Sequence, residues 1–334
     1  MKRHAWIVGF ALLVPWLGAC SGRPEANGDR NAVTAFMALP HPRVADLYTL
    51  AMSGEAGREA GPSVMPLLDA GDREVREAAV VTLGRIHYRP AVGRLIALLG
   101  DPTEPMLNLA AADSLGQLGD PAAIDALRAI SATHWFPPLR VAATQAIRHI
   151  RDHSPYPPAD RHALTARDPS RGFLSHCTDD PYPFSRSGTQ EDGVTLDVPG
   201  GQLVGIDHGE WGGSLRLDAD NGFVYPLLDT NVVAIARLGA RIVVVTGLSH
   251  MGMWRGDVYK ATRNADGSWQ AMHWRALTGP PLWVADRADG RLHIGLPSYT
   301  LLLAADGTMS VGACEEPAPA RSRVGTPPKS SGDV

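Results

Sequence analysis

The residues best suited to chemistry form the run Asp207-His208-Gly209-Glu210-Trp211-Gly212-Gly213. An imidazole and a carboxylate stand two residues apart between two apolar stretches, and either group can ligate a metal or move a proton. His250 sits in a similar glycine-bounded turn, Gly247-Leu248-Ser249-His250-Met251-Gly252. If both turns fall at one end of a domain, His208, Glu210 and His250 form a weak catalytic constellation, with His273 or His293 as a further ligand. The plainer reading is that the glycines supply positive φ while the histidines and Trp211 pack or cap strands. Trp211, Trp254, Trp269, Trp274 and Trp283 concentrate aromatic surface here, either to stack on sugars or to fill a core. No phosphate loop, Gly-x-Ser-x-Gly, His-Glu-x-x-His or Cys-x-x-Cys occurs. The stronger catalytic and metal-binding patterns are therefore missing, and no cofactor is expected.

Those turns belong to a stretch of short runs that alternate or are uniformly apolar: 201–206, 213–218, 232–237, 241–246, 257–262, 282–286, 291–295 and 299–304. Asp220-Asn221-Gly222, Asp266-Gly267, Asp289-Gly290 and Asp306-Gly307 separate several of them and are strong hairpin turns. Residues 172–314 are therefore expected to be antiparallel β. Ala240-Arg241-Ile242 is echoed by Gly290-Arg291-Leu292, a loose recurrence whose rhythm looks like β-propeller blades. About three to four blades would fit, the lower limit for closure. A sandwich or partial propeller fits the same rhythm.

Ahead of this half lies an internal repeat. Leu83, Leu115 and Ile147 are spaced by 32, as are Val75, Leu107 and Leu139, and the pairs Ala78-Ala79, Ala110-Ala111 and Ala142-Ala143. Apolar spacings of three and four mark helices, with breaks at Gly100-Asp101-Pro102 and Gly119-Asp120-Pro121. One helical hairpin cannot cover its own apolar face, so neighbours must stack into a solenoid. The motif Asp72-x-x-Val75-Arg76-x-Ala78-Ala79-x-x-x-Leu83-Gly84 resembles the short HEAT-like repeats, over about residues 60–150. That resemblance implies an interaction surface and carries no catalysis. Asp72 is a candidate N-cap. The resemblance implies that Arg76 and Arg140 form a structural ladder with Asp72, with ligand binding as the weaker alternative. The expected boundaries are a solenoid over 32–151 and a linker over 152–171, capped at the start by residues 33–51.

The amino terminus supplies an address. Lys2-Arg3 precede an apolar stretch from Ala5 to Leu17, followed by Leu17-Gly18-Ala19-Cys20. This is the layout of a secretory signal, and the stretch is too short to span a bilayer. Leu-Gly-Ala-Cys resembles the lipobox of bacterial lipoproteins. The resemblance implies that residues 1–19 are removed and Cys20 is lipidated, and Ser21 after it implies the outer membrane, facing the periplasm. Residues 20–31 would be a flexible tether and 315–334 a disordered tail.

With Cys20 committed to lipid, Cys177 and Cys314 remain as a possible disulfide. A loop that long would stabilise the fold by roughly 4–5 kcal/mol. Two separately buried thiols are the other option. The net charge is −4, and loss of Lys2 and Arg3 makes it −6, which gives no footprint for nucleic acid.

The expectation is thus an α-solenoid of HEAT-like hairpins followed by an all-β, propeller-like antiparallel domain. As a lipid-anchored envelope protein it would act as a scaffold for envelope proteins, through the solenoid's concave face and one face of the β domain, with Arg76 and Arg140 as weak binding candidates. An envelope hydrolase or lyase using His208, Glu210 and His250 is the alternative, as is glycan binding through Trp211 and Trp254.

Overall fold

The computed structural model describes residues 25–153, 193–250 and 253–314. Asp72 starts the first clear repeat helix: its carboxylate accepts a hydrogen bond from the Glu74 amide at 2.8 Å. That satisfies one of the amides that a helix start leaves unpaired. The helix, α4, spans Arg73–Arg85, and its counterparts α6 and α8 span Pro105–Leu118 and Pro137–Asp152. Their starts keep the interval of 32 read from the sequence. Between them run α5 (Val92–Leu99) and α7 (Ile124–Thr133), so each repeat is a helical hairpin.

The stack continues backwards through α1 (Glu25–Met37), α2 (Val44–Met52) and the short α3 (Gly61–Val64). Helix α2 packs on α4 as α4 packs on α6. The boundary differs from expectation, since α1 opens at Glu25, inside the stretch read as a tether. Val33 and Phe36 explain why the later turns of α1 hold: both are buried in the helical core.

Equivalent positions tie the hairpins together. The Thr82 hydroxyl donates to the Leu47 carbonyl on α2 at 3.1 Å, and Ser114, one repeat later, donates to the Val80 carbonyl on α4 at 2.9 Å. Such contacts need close helix approach. At Gly84 a Cβ would stand 2.7 Å from the Ser114 Cβ, so a larger residue would force α4 and α6 apart.

Among the described residues twelve strands follow, in three four-stranded antiparallel sheets. The first contains β1 (Val194–Val198), β2 (Gly201–Asp207), β3 (Gly213–Ala219) and β4 (Val224–Leu228). The second contains β5 (Val232–Leu238), β6 (Arg241–His250), β7 (Met253–Arg263) and β8 (Trp269–Ala276). The third contains β9 (Trp283–Asp286), β10 (Leu292–Gly295), β11 (Thr300–Leu303) and β12 (Met309–Gly312). Each sheet is a sequential meander, and β5 packs against β1, β2 and β9. The echo between Ala240-Arg241-Ile242 and Gly290-Arg291-Leu292 falls at the start of the second strand of two successive sheets. No closed propeller is present among the described residues.

The expected turns are made by one device. Asn221, Asp266, Asp289 and Asp306 each accept the amide two residues on, at 2.8–3.1 Å, while Gly222, Gly267, Gly290 and Gly307 take positive φ.

The sheets dock on one rim of the helical stack. Arg73, at the start of α4, pairs with Asp257 on β7 at 2.7 Å. Thr103, just ahead of α6, accepts a hydrogen bond from the Ala276 amide at 2.8 Å. Phe136, just ahead of α8, packs its ring 6.3 Å from that of Tyr299. Successive docking points, at 73, 103 and 136, are therefore spaced by close to one repeat, and buried apolar side chains run continuously from the helices into the second and third sheets. A second core lies between the first and second sheets, around Leu203, Leu215 and Val244.

Candidate functional site

The docking leaves a polar cleft of about 310 Å³ between the start of α4 and strands β7 and β8. From the helical side Arg73, Arg76 and Glu104 line it, and from the β side Arg255, Asp257, Tyr259 and His273 do. Asp257 is its hinge point. One carboxylate oxygen meets both the Arg73 guanidinium at 2.7 Å and the His273 Nε2 at 3.0 Å. The Tyr259 ring stands edge-on to the imidazole, 5.5 Å away. Burial works against the charge on Arg73, but Asp257, with Glu77 and Glu104 behind it, outweighs burial and raises its pKa.

Behind the cleft wall lies a second layer of acids. Burial first, then the negative charges of Glu104 and Glu74, push the Glu77 carboxyl up to about 7 against the pull of Arg73 and Arg76. Burial, reinforced by Glu77 and Glu74, also pushes the Tyr48 phenol up to about 12. Glu104 pairs with Arg76 through one oxygen, while the other is buried without a hydrogen-bond partner among the described residues.

Arg76 therefore does not form the expected ladder with Asp72. It pairs with Glu104 and donates to the Ala70 and Gly71 carbonyls at 2.7 and 3.1 Å. Asp72 is already engaged as the N-cap. The register is still meaningful: Asn108 donates to Leu98 O at 2.6 Å and Arg140 to His134 O at 3.4 Å, so all three polar residues reach back to the chain before their helix.

The expected His208 constellation is placed differently. His208 precedes and Glu210 lies within an exposed 3₁₀ turn, Gly209–Trp211, held by the Asn231 side chain donating to Gly209 O at 2.7 Å. The turn packs on β6, the strand that ends at His250, whose side chain lies outside the described residues, as does that of Trp254. The further ligands proposed from sequence are engaged on separate sheets, His273 with Asp257 and His293 with Asp289 at 3.0 Å. Among the described residues no group of three or more His, Cys, Asp or Glu side chains is placed to hold a metal ion. The tryptophans divide: Trp274 and Trp283 are buried, whereas Trp211 is 83% exposed. Three cations, on Arg241, Lys260 and Arg275, stand 5.1–5.9 Å from the Trp274 ring.

Cys20, Cys177, the signal stretch and the tail lie outside the described residues, as does the linker beyond His153. No described helix is long and apolar enough to cross a membrane.

Sequence reasoning missed Asp257, Glu104 and Arg255. Asp257 sits at the edge of an apolar run where it reads as a solvated strand residue. Its importance comes from Arg73, which is distant in the chain. Among the described residues the cleft lining contains no serine, cysteine, threonine or lysine, so the imidazole held by a carboxylate meets no nucleophilic partner of those types there. What the arrangement does is fix two regions to one another and present mixed charge at their seam.

Comparison with known proteins agrees with the helical half of this description. Residues 61–148 match the family model for HEAT repeats. No curated protein matches the chain.

Proposed function

We propose that this protein is a lipid-anchored cell-envelope scaffold that binds other proteins through its HEAT-like solenoid and the β region docked to it. The observation that carries the reading is the rim docking. HEAT repeats serve generally as protein-binding surfaces, and here the contacts of Arg73, Thr103 and Phe136 hold the repeats in one fixed relation to the sheets. A partner thus meets a single composite surface and loses less conformational entropy than on two hinged parts. Exposed Arg255, for which the structure shows no side-chain partner among the described residues, stands at the lip of the seam and is a natural contact for an acidic partner group.

Anchoring through Cys20, at the outer membrane facing the periplasm, rests on the Leu17-Gly18-Ala19-Cys20 run. A Cys177–Cys314 bridge belongs to the same reading, supported by the disulfide form of Cys314. It would tie the start of the β region to its end, where successive four-stranded meanders arranged as propeller blades need a fastener.

The test is crosslinking of the lipidated full-length protein in its native membrane, beside an Arg255→Glu variant. Arg76→Glu is unsuitable, because Arg76 holds Glu104 and the loop before α4. An envelope protein captured by the first, lost with the variant and bound again from purified components, establishes the scaffold. Failure to reconstitute that binding sinks it. Metabolic labelling with palmitate, expected for the natural chain and lost in Cys20→Ser, tests the anchor separately.

A further inference from the structure

At the far side of the first hairpin, away from the cleft, Arg58, His87, Tyr88, Arg89 and Pro90 line a second cavity of about 430 Å³. Its lining contains no carboxylate. Arg58 lies in the 3₁₀ turn Gly54–Ala60 and makes a 3.5 Å ion pair with Glu55 on the same turn. The side chains of His87 and Arg89 have no hydrogen-bond or ion-pair partner among the described residues. Tyr88 gives the cavity a fixed wall, because its ring lies so close to Gly61 that a Cβ there would overlap it.

The backbone at His87 is also unusual. Its φ is +51°, a left-handed conformation that costs any residue with a Cβ. The equivalent position one repeat later, just past the end of α6, is Gly119 with φ +66°. Glycine meets that need without strain. The first repeat instead holds an imidazole there, at the mouth of a cavity flanked by two guanidinium groups. Helix α8 likewise ends on a positive-φ histidine, His153 with φ +50°, so what sets His87 apart is its place in the cavity lining.

We propose that this cavity binds a phosphate group. Its candidate donors come from three chain positions, 58, 87 and 89. Phosphate offers three strong acceptor oxygens and close to two negative charges, whereas a carboxylate offers two oxygens in one plane. A phospholipid headgroup and a soluble phosphate compound share this chemistry.

The experiment uses the full chain carrying Cys20→Ser, so that no acyl chain contributes. Binding is measured by calorimetry with inorganic phosphate and by sedimentation with vesicles of phosphatidylglycerol in phosphatidylcholine. Saturable phosphate binding is expected, weakened about tenfold by Arg89→Gln, the size of one lost charge-assisted hydrogen bond. His87→Gly is expected to weaken it comparably while raising the melting temperature, because strain is relieved. A merely structural histidine would not produce that pair of opposite changes. Arg128→Gln, in an exposed ion pair with Asp125 outside the cavity lining, should leave binding intact.

Vesicle binding that is competed by phosphate and lost in Arg89→Gln identifies a headgroup. Phosphate binding without vesicle binding identifies a soluble compound. Absence of saturable phosphate binding, full binding by both cavity variants, or equal loss in Arg128→Gln overturns the proposal.

Discussion

The helical and β regions of this protein repeat themselves in different currencies. In the helices, equivalent positions perform equivalent packing tasks: Thr82 and Ser114 hydrogen-bond the preceding helix, while Arg76, Asn108 and Arg140 secure the preceding chain. In the sheets, what recurs is the turn. An Asx side chain and a positive-φ glycine close four hairpins in the same way, while the strands between them differ in length and burial. A solenoid unit contacts its neighbours through side chains on every turn, so its interior must stay in register. A strand gains its partners through the backbone, so its side chains are freer once the turn has set the pairing.

The contrast predicts where each region is vulnerable. The largest effect should come from Leu115→Ala in α6, where a fully buried side chain is removed, at about 4 kcal/mol by denaturant titration. Leu301→Ala in β11 should cost a similar amount if the continuous core makes one cooperative unit. A single unfolding transition shifted by both variants supports that unity. Two transitions, each moved by only one variant, break it.

Next is the seam. Asp257→Asn leaves Arg73 and His273 without their shared carboxylate, in a pair only 17–18% exposed. The expected loss is about 3 kcal/mol. In calorimetry the helical and β regions should begin to melt separately, and an unsplit transition would show that the apolar contacts alone couple them.

Smaller again is the effect of pH on the helical side of the seam. Glu77 has a folded value of about 7 against an ordinary 4.5, so between these values the folded protein holds more protons than the unfolded chain. Stability should therefore fall as pH rises through this window. Glu77→Gln should flatten that slope and stabilise the protein at pH 8 more than at pH 5, on the order of 1 kcal/mol. A slope unchanged by the substitution would place the titration elsewhere.

The smallest effects are a pair of opposite sign. Gly267→Ala, at φ +89° in a β turn, should cost about 1 kcal/mol. Gly93→Ala, in α5 with nothing within 4 Å of its added methyl, should stabilise by about 0.5 kcal/mol. Equal effects of the same sign would deny that backbone conformation is the limiting constraint in the turns and helix propensity in the solenoid.

The helices, their 32-residue interval and most hairpin turns were legible in the chain, because each depends on residues close together. Val194–Val198, Val224–Leu228, Trp269–Ala276 and Met309–Gly312 were missed as strands. Val224, Tyr225 and Pro226 are all exposed on β4, so burial does not impose the alternation by which strands are read. The cleft was not legible at all. Arg76 was singled out for its motif position, but its partner Glu104 sits in a loop whose importance appears only when α4 and α6 stack.

The sequence by itself determined the local order of this protein: which segments coil, where Asp72 starts a helix, where glycines admit a turn, and at what interval the hairpins recur. Those outcomes follow from propensity, capping and periodicity, which act over a few residues. Only the tertiary structure decided that the sheets run along one rim of the stack and that Asp257 joins Arg73 to His273. It also decided that Trp274 and Trp283 are core while Trp211 is surface. Such facts depend on which distant surfaces exclude water together, and no local pattern encodes that choice.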